Sequence, residues 1–216
     1  MKPSPDGQYM YVANTGSRSI MSIRTNDNTV AATRGLGSSP FDITVLPSGE
    51  FIYVACWDSG MVAVVRASDF TVVAKAHLFS YAWGIAAMPD GHHVYVGNNL
   101  FDFEGTAVIR TSDNQVVADV STDGEAHGGI VPLPNGSKVY VGSGQFGSSV
   151  SVIGRQLLAA PLSGVSAPRR LEASPVTRGR PRPPLSAVFG SRQTAGSTHG
   201  ERGKSRTPAS KPRIGD

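Results

Sequence analysis

Along the first 153 residues, apolar and β-branched residues come in short runs separated by Gly, Pro, Asp and Asn, and the runs repeat. Residues 9–14, 51–56, 93–98 and 138–143 each carry Tyr-Val followed by a small residue, at Tyr11-Val12, Tyr53-Val54, Tyr95-Val96 and Tyr140-Val141. Aromatic and β-branched residues at fixed register predict strands. A second strand is predicted over 20–24, 62–66, 107–110 and 150–153, and a third over 29–33, 71–75 and 115–119. A fourth covers 41–46, 83–88 and 128–133.

Each fourth strand leads into a turn of one type: Pro5-Asp6-Gly7, Pro47-Ser48-Gly49, Pro89-Asp90-Gly91 and Pro134-Asn135-Gly136, spaced by 42, 42 and 45 residues. Proline presets φ and glycine accepts a positive φ, so each triplet reverses the chain between two strands. Four strands in a period of about 42 residues is the pattern of a β-propeller blade. Ser4-Pro5-Asp6-Gly7 followed by Tyr11-Val12-Ala13-Asn14 resembles the YVTN-type repeat of the WD40/YVTN-like superfamily, and the resemblance covers roughly residues 3–153. Arg24, Arg66 and Arg110 stand where that repeat usually has Asp.

The resemblance implies that the segment before each Pro-x-Gly turn is the innermost strand of a blade, in a ring of about seven blades. Counted so, the first repeat lacks its inner strand and the last ends after its second, giving 14 strands, or about 3.5 blades. The expected fold is all-β: an incomplete propeller of four-stranded antiparallel blades over residues 1–154, with open blade edges suited to self-association. Three explanations stay open: a fragment of a longer product, an assembly of two arcs, or a change of reading frame near Gly154. In the two-arc reading, each junction would lack an inner and an outer strand.

Composition divides the chain at the same place. Lys plus Arg number 8 up to Gly154 and 12 beyond it, against 13 and 3 for Asp plus Glu, so the body carries −5 and the tail +9. Residues 155–216 are rich in Arg, Pro, Ser and Gly, with Phe189 their only aromatic residue. Such a segment cannot bury enough apolar surface to offset chain entropy and is expected to be disordered. Its arginines could contact nucleic acid through phosphates, or serve as a solvated linker. The single cysteine, Cys56, excludes an intramolecular disulfide and reads as a small buried residue. No apolar stretch long enough for a membrane helix occurs, and Met1 to Tyr9 lacks the apolar core of a signal peptide.

Three sets of residues are candidates for chemistry. Asp42, Trp83 and His127 hold equivalent places at the start of inner strands, where they either line a pocket or metal site at the channel mouth or pack structurally. One His and one Asp fall short of a zinc ligand set, so no metal or cofactor is assigned. Arg24, Arg66 and Arg110 recur three residues before Asp27, Asp69 and Asp113, forming either an anion-binding rim or local ion pairs. The loop 98–105 is two residues longer than its counterparts and is expected to expose Leu100, Phe101 and Phe103 as a contact surface. His92-His93 are read as turn histidines, and Asn98 as a turn former.

No P-loop, dinucleotide-binding glycine motif or nucleophile elbow is present. The expected function is a non-enzymatic repeat module that binds a protein or small ligand. The YVTN resemblance implies an extracellular, periplasmic or cell-surface setting. It equally admits a fragment of a lactonase-like or quinoprotein-like enzyme, since fold alone does not choose between them.

Overall fold

Each Pro-x-Gly turn is closed by the glycine N–H, which donates to the carbonyl three residues back: Gly7 to Ser4, Gly49 to Leu46, Gly91 to Met88 and Gly136 to Leu133, at 2.8–2.9 Å. These glycines have φ of +66° to +75°, a conformation that strains any residue with a Cβ. The middle residue caps the turn in turn, as Asp6 accepts from Gln8 N–H, Asp90 from His92 N–H and Asn135 from Ser137 N–H, each at 3.0 Å. Turn geometry therefore fixes the register of each inner hairpin.

The structure is a computed structural model that describes residues 1–78, 81–100, 103–122, 129–142, 149–154 and 169–175. All of these lie in one unit, Met1–Thr177. Four sheets follow one another. The first contains β1 (Lys2–Pro3), β2 (Tyr9–Asn14), β3 (Ser19–Arg24) and β4 (Val30–Gly35). The second contains β5 (Pro40–Val45), β6 (Phe51–Cys56), β7 (Met61–Arg66) and β8 (Thr71–His77). The third contains β9 (Tyr81–Ala87), β10 (His93–Leu100), β11 (Phe103–Arg110) and β12 (Gln115–Ser121). The fourth contains β13 (Ile130–Pro132), β14 (Lys138–Gly142) and β15 (Val150–Gly154). Two strands come from beyond residue 154: β16 (Arg169–Glu172) lies parallel to β12, and β17 (Ser174–Pro175) pairs antiparallel with β15. The fold is an incomplete β-propeller, and each sheet is a blade.

The strand count departs from 14 in three places. Blade 1 has an inner strand after all, because Lys2 pairs with Tyr11 and Pro3 with Met10. Blade 4 gains its outer strand from Ser174–Pro175. Strand β16 adds a fifth strand to blade 3. A sheet edge offers unpaired backbone groups to any extended segment, so these strands need no apolar alternation and left no periodic signal in the sequence. The other residues for which disorder is expected lie outside those described.

Alternation along each strand sends one set of side chains to the preceding blade and the other to the following blade. Between blades 1 and 2, Tyr11 and Ile20 meet Ile52, Val54, Ala63 and Val65. Between blades 2 and 3, Tyr53, Val62 and Val64 meet Val94, Val96 and Ile109. Between blades 3 and 4, Tyr95 and Val108 meet Val139, Val141 and Ile153. The core is thus three layers between sheets, and Tyr of each Tyr-Val pair always points forward. Two of these tyrosines have a set partner on the next blade: Tyr11 stacks on Phe70 at 6.2 Å, and the Tyr53 hydroxyl donates to Asn114 Oδ1 at 2.6 Å. Phe70 and Asn114 occupy the same left-handed turn position, at φ 55° and 59°.

Ile52→Ala, in the layer between blades 1 and 2, is expected to cost about 2–5 kcal/mol by urea unfolding. Val73→Ala, on an exposed position of the outer strand β8, is expected to change stability by less than about 0.5 kcal/mol. Equal costs would show that the cores do not lie between sheets.

Candidate aromatic binding surface

At the blade end opposite the Pro-x-Gly turns, three segments converge: the start of β5, the 3-10 turn Trp57–Ser59 after β6, and the start of β9. Pairing sets Pro40 opposite Cys56, and Trp57 N–H donates to the Ser39 carbonyl at 3.1 Å, which ties the Trp57 turn to the start of β5. The next blade adds Tyr81 and Trp83. Phe41 meets Trp83 edge-on at 4.9 Å, Trp57 stacks on Trp83 at 6.1 Å, and Tyr81 tilts against Trp57 at 6.2 Å. Phe41 is 49% exposed and Tyr81 42%, while the two indoles are half-buried.

A polar clamp holds this cluster in place. The Asp58 carboxylate accepts the Ser39 N–H at 2.9 Å, the Ser39 hydroxyl at 2.8 Å and the Ser38 hydroxyl, and Ser38 is bonded to the Ser59 hydroxyl at 2.5 Å. The Ser38 hydroxyl, backed by both Ser39 groups, draws the Asp58 carboxyl down to about 2. Gly60 ends the turn at φ 58°, in the left-handed region. Four rings gathered from two strand starts and a braced turn, with a carboxylate alongside, form a surface for stacking apolar or planar groups.

The residues singled out from the sequence divide between this surface and structural work. Trp83 belongs to the cluster. Asp42 faces the neighbouring inner strand: its carboxylate accepts Ile43 N–H at 2.9 Å and Ile85 N–H at 3.2 Å. Thr44 Oγ1 does the same for Ala87 N–H at 3.1 Å, so Asp42 and Thr44 lace β5 to β9. His127 lies outside the described residues. Trp57 and Tyr81 are not marked in the sequence, because the contacts of Trp57 with Tyr81 and Trp83 cross from blade 2 to blade 3; their bulk at strand ends is the available signal.

The expected contact loop is largely strand. Residues 98–100 pair with 103–105, Leu100 opposite Phe103, so the insertion lengthens the β10–β11 hairpin. Phe101 lies outside the described residues. Asn98 is likewise a strand residue rather than a turn former, buried with its amide 3.4 Å from Asp119, whose carboxyl is pushed up by burial. Extended pairing outcompetes the turn tendency of Asn once both flanks are in register.

The arginines sit at the opposite blade end and pair locally. Arg66 bonds Asp69 at 2.9 Å and Arg110 bonds Asp113 at 2.5 Å, both pairs exposed. Arg24 reaches Thr29 Oγ1 at 3.4 Å, and Thr29 in turn binds Asp27. Two open cavities of about 340 and 450 Å³ lie at that same end, lined by Asp6 and Tyr9 and, respectively, by Glu50 and by Arg24. Burial pushes the Cys56 thiol up to about 11, which keeps it protonated. Among the described residues no group of three His, Cys, Asp or Glu side chains is placed to hold a metal ion.

Two outcomes are expected. A depressed Asp58 stabilises the folded turn above the ordinary carboxylate value of 3.8, and that contribution fades as pH falls towards about 2. Tryptophan emission should therefore shift between pH 4 and 2 in the wild type and not in Asp58→Asn; identical profiles would contradict the clamp. Asp42→Ala should cost about 1–3 kcal/mol of stability by leaving the Ile85 N–H without its acceptor, and unchanged stability would contradict the lacing role.

Solved structures share this architecture. The chain is similar to hydrazine synthase of Kuenenia stuttgartiensis, with TM-score 0.69 and 21% identity over 81% of this chain and 47% of that one. It is similar to a putative 6-phosphogluconolactonase of Bacteroides fragilis, with TM-score 0.62 and 17% identity over 82% and 56%. The WD40 repeats of RRP9 match with TM-score 0.60 and 14% identity over 70% and 46%. This chain spans about half the length of each. At these identities the likeness establishes the β-propeller fold alone. No protein-family model matches the sequence, and no curated protein does.

Proposed function

We propose that the chain is a non-enzymatic propeller module of the YVTN type, part of a secreted or cell-surface protein, that binds a protein partner through Phe41, Trp57, Tyr81 and Trp83. The observation that carries this reading is the exposure of Phe41 and Tyr81, at the starts of β5 and β9, beside the Trp57 turn that Asp58 braces. Aromatic side chains left open on a rigid scaffold are the residues from which binding energy is drawn at protein interfaces. Trp83 is shared by this surface and the channel-mouth set, whose His127 lies outside the described residues.

Selection of a phage-displayed peptide library on the full chain tests this. Peptides enriched on the wild type and lost on Trp57→Ala combined with Tyr81→Ala support it; no enrichment, or equal retention by both proteins, overturns it. The names of two structural neighbours favour an alternative, a portion of a propeller enzyme. Turnover of 6-phosphogluconolactone by the chain above the spontaneous rate would select that alternative.

A further inference from the structure

The contacts between blades follow a code with two halves, and the terminal blades each present one half of it unused. At the junctions between blades 1 and 2 and between blades 2 and 3, the earlier blade supplies a forward-pointing Tyr and, in its turn, an apolar side chain. The later blade supplies a left-handed turn residue, a turn glycine and a backward-pointing apolar face. Tyr53 with Asn114 and Tyr11 with Phe70 are two instances of the first match. Pro5 stands 3.6 Å and Pro47 3.7 Å from where a Cβ on Gly49 and Gly91 would be, which are two instances of the second.

Blade 4 carries the earlier half. Tyr140 is half-buried, Val131 is 60% exposed opposite it in β13, and Val150 is exposed in β15. Their equivalents in blade 2, Tyr53, Thr44 and Val62, are buried against blade 3. Pro134 is exposed in the matching turn. Blade 1 carries the later half. Asn28 holds the left-handed position at φ 58° and is exposed. Nothing lies within 4 Å of a Cβ on Gly7. Met10, Val12, Met21 and Ile23 are only half-buried and Val30 is 53% exposed, where the corresponding Ile52, Val54, Ala63 and Val65 of blade 2 are fully buried.

We propose that two copies of this chain associate head to tail, blade 4 of each on blade 1 of the other, and that Tyr140 then bonds Asn28 as Tyr53 bonds Asn114. The occupant is a second copy because one sequence carries both complementary halves. Two such contacts related by a two-fold axis close a ring of eight blades, within the range that propellers adopt. Strands β1 and β17 supply the inner and outer strands that these junctions would otherwise lack. This inference does not depend on the aromatic surface, which lies between blades 2 and 3.

Sedimentation of the full chain tests it. The wild type is expected at twice 22.6 kDa. Val30→Glu and Val131→Glu alter exposed positions, so each chain keeps its strand circular dichroism but should run as a monomer. An equal mixture of the two should regain a two-chain species, because one retains an intact blade 4 and the other an intact blade 1. Tyr140→Phe should weaken association about 25-fold, about fivefold at each of the two junctions. A monomeric wild type, dimers of either Glu variant alone, or a mixture that stays monomeric would overturn the proposal.

Discussion

A four-stranded sheet that is apolar on both faces is stable only when both faces are covered, and this constraint organises the molecule. Among the described residues no blade has a core of its own; the buried apolar side chains lie in three layers between consecutive sheets. Such an array behaves as a one-dimensional stack, where each unit is stabilised by its neighbours. Tyr11 and Tyr53 are central to it, because each reaches forward to a left-handed turn residue of the next blade. Burial raises the Tyr53 hydroxyl to about 12, so it remains a donor to Asn114 across any physiological pH.

The same constraint separates the parts of the fold that are legible in the sequence from those that are not. Tyr53-Val54 and the Pro47-Ser48-Gly49 turn are local signals, and the strand they predict over 51–56 is found to the residue. Lys2–Pro3 and Ser174–Pro175 are strands only because an edge was free to pair with them. Their alternation is too short to register. Residues 98–105 show the opposite failure: an insertion that looks like a loop in one dimension extends two paired strands.

The candidate surface follows from the stack rather than from any motif. Phe41, Trp57 and Trp83 are 42 residues apart at the extremes and belong to two blades, so their meeting depends on how blade 2 packs on blade 3. Asp42 was visible as a recurrent position, but its partner is the backbone of β9, a group that sequence does not mark. Arg66 and Arg110 each pair with the Asp three residues on in the same turn, one of the two arrangements their spacing allows, whereas Arg24 bonds Thr29. Local chemistry can be read from spacing; chemistry across blades needs the register between sheets.

The central claim is that named side chains couple one blade to the next, and a double-mutant cycle between Tyr53 and Asn114 tests it most directly. Tyr53→Phe, Asn114→Ala and the double variant would be compared by urea unfolding. A coupling of about 1 kcal/mol is the result predicted for a buried hydrogen bond across the blade 2–blade 3 junction. Strictly additive effects would contradict the account, because the two residues would then stabilise their own blades alone.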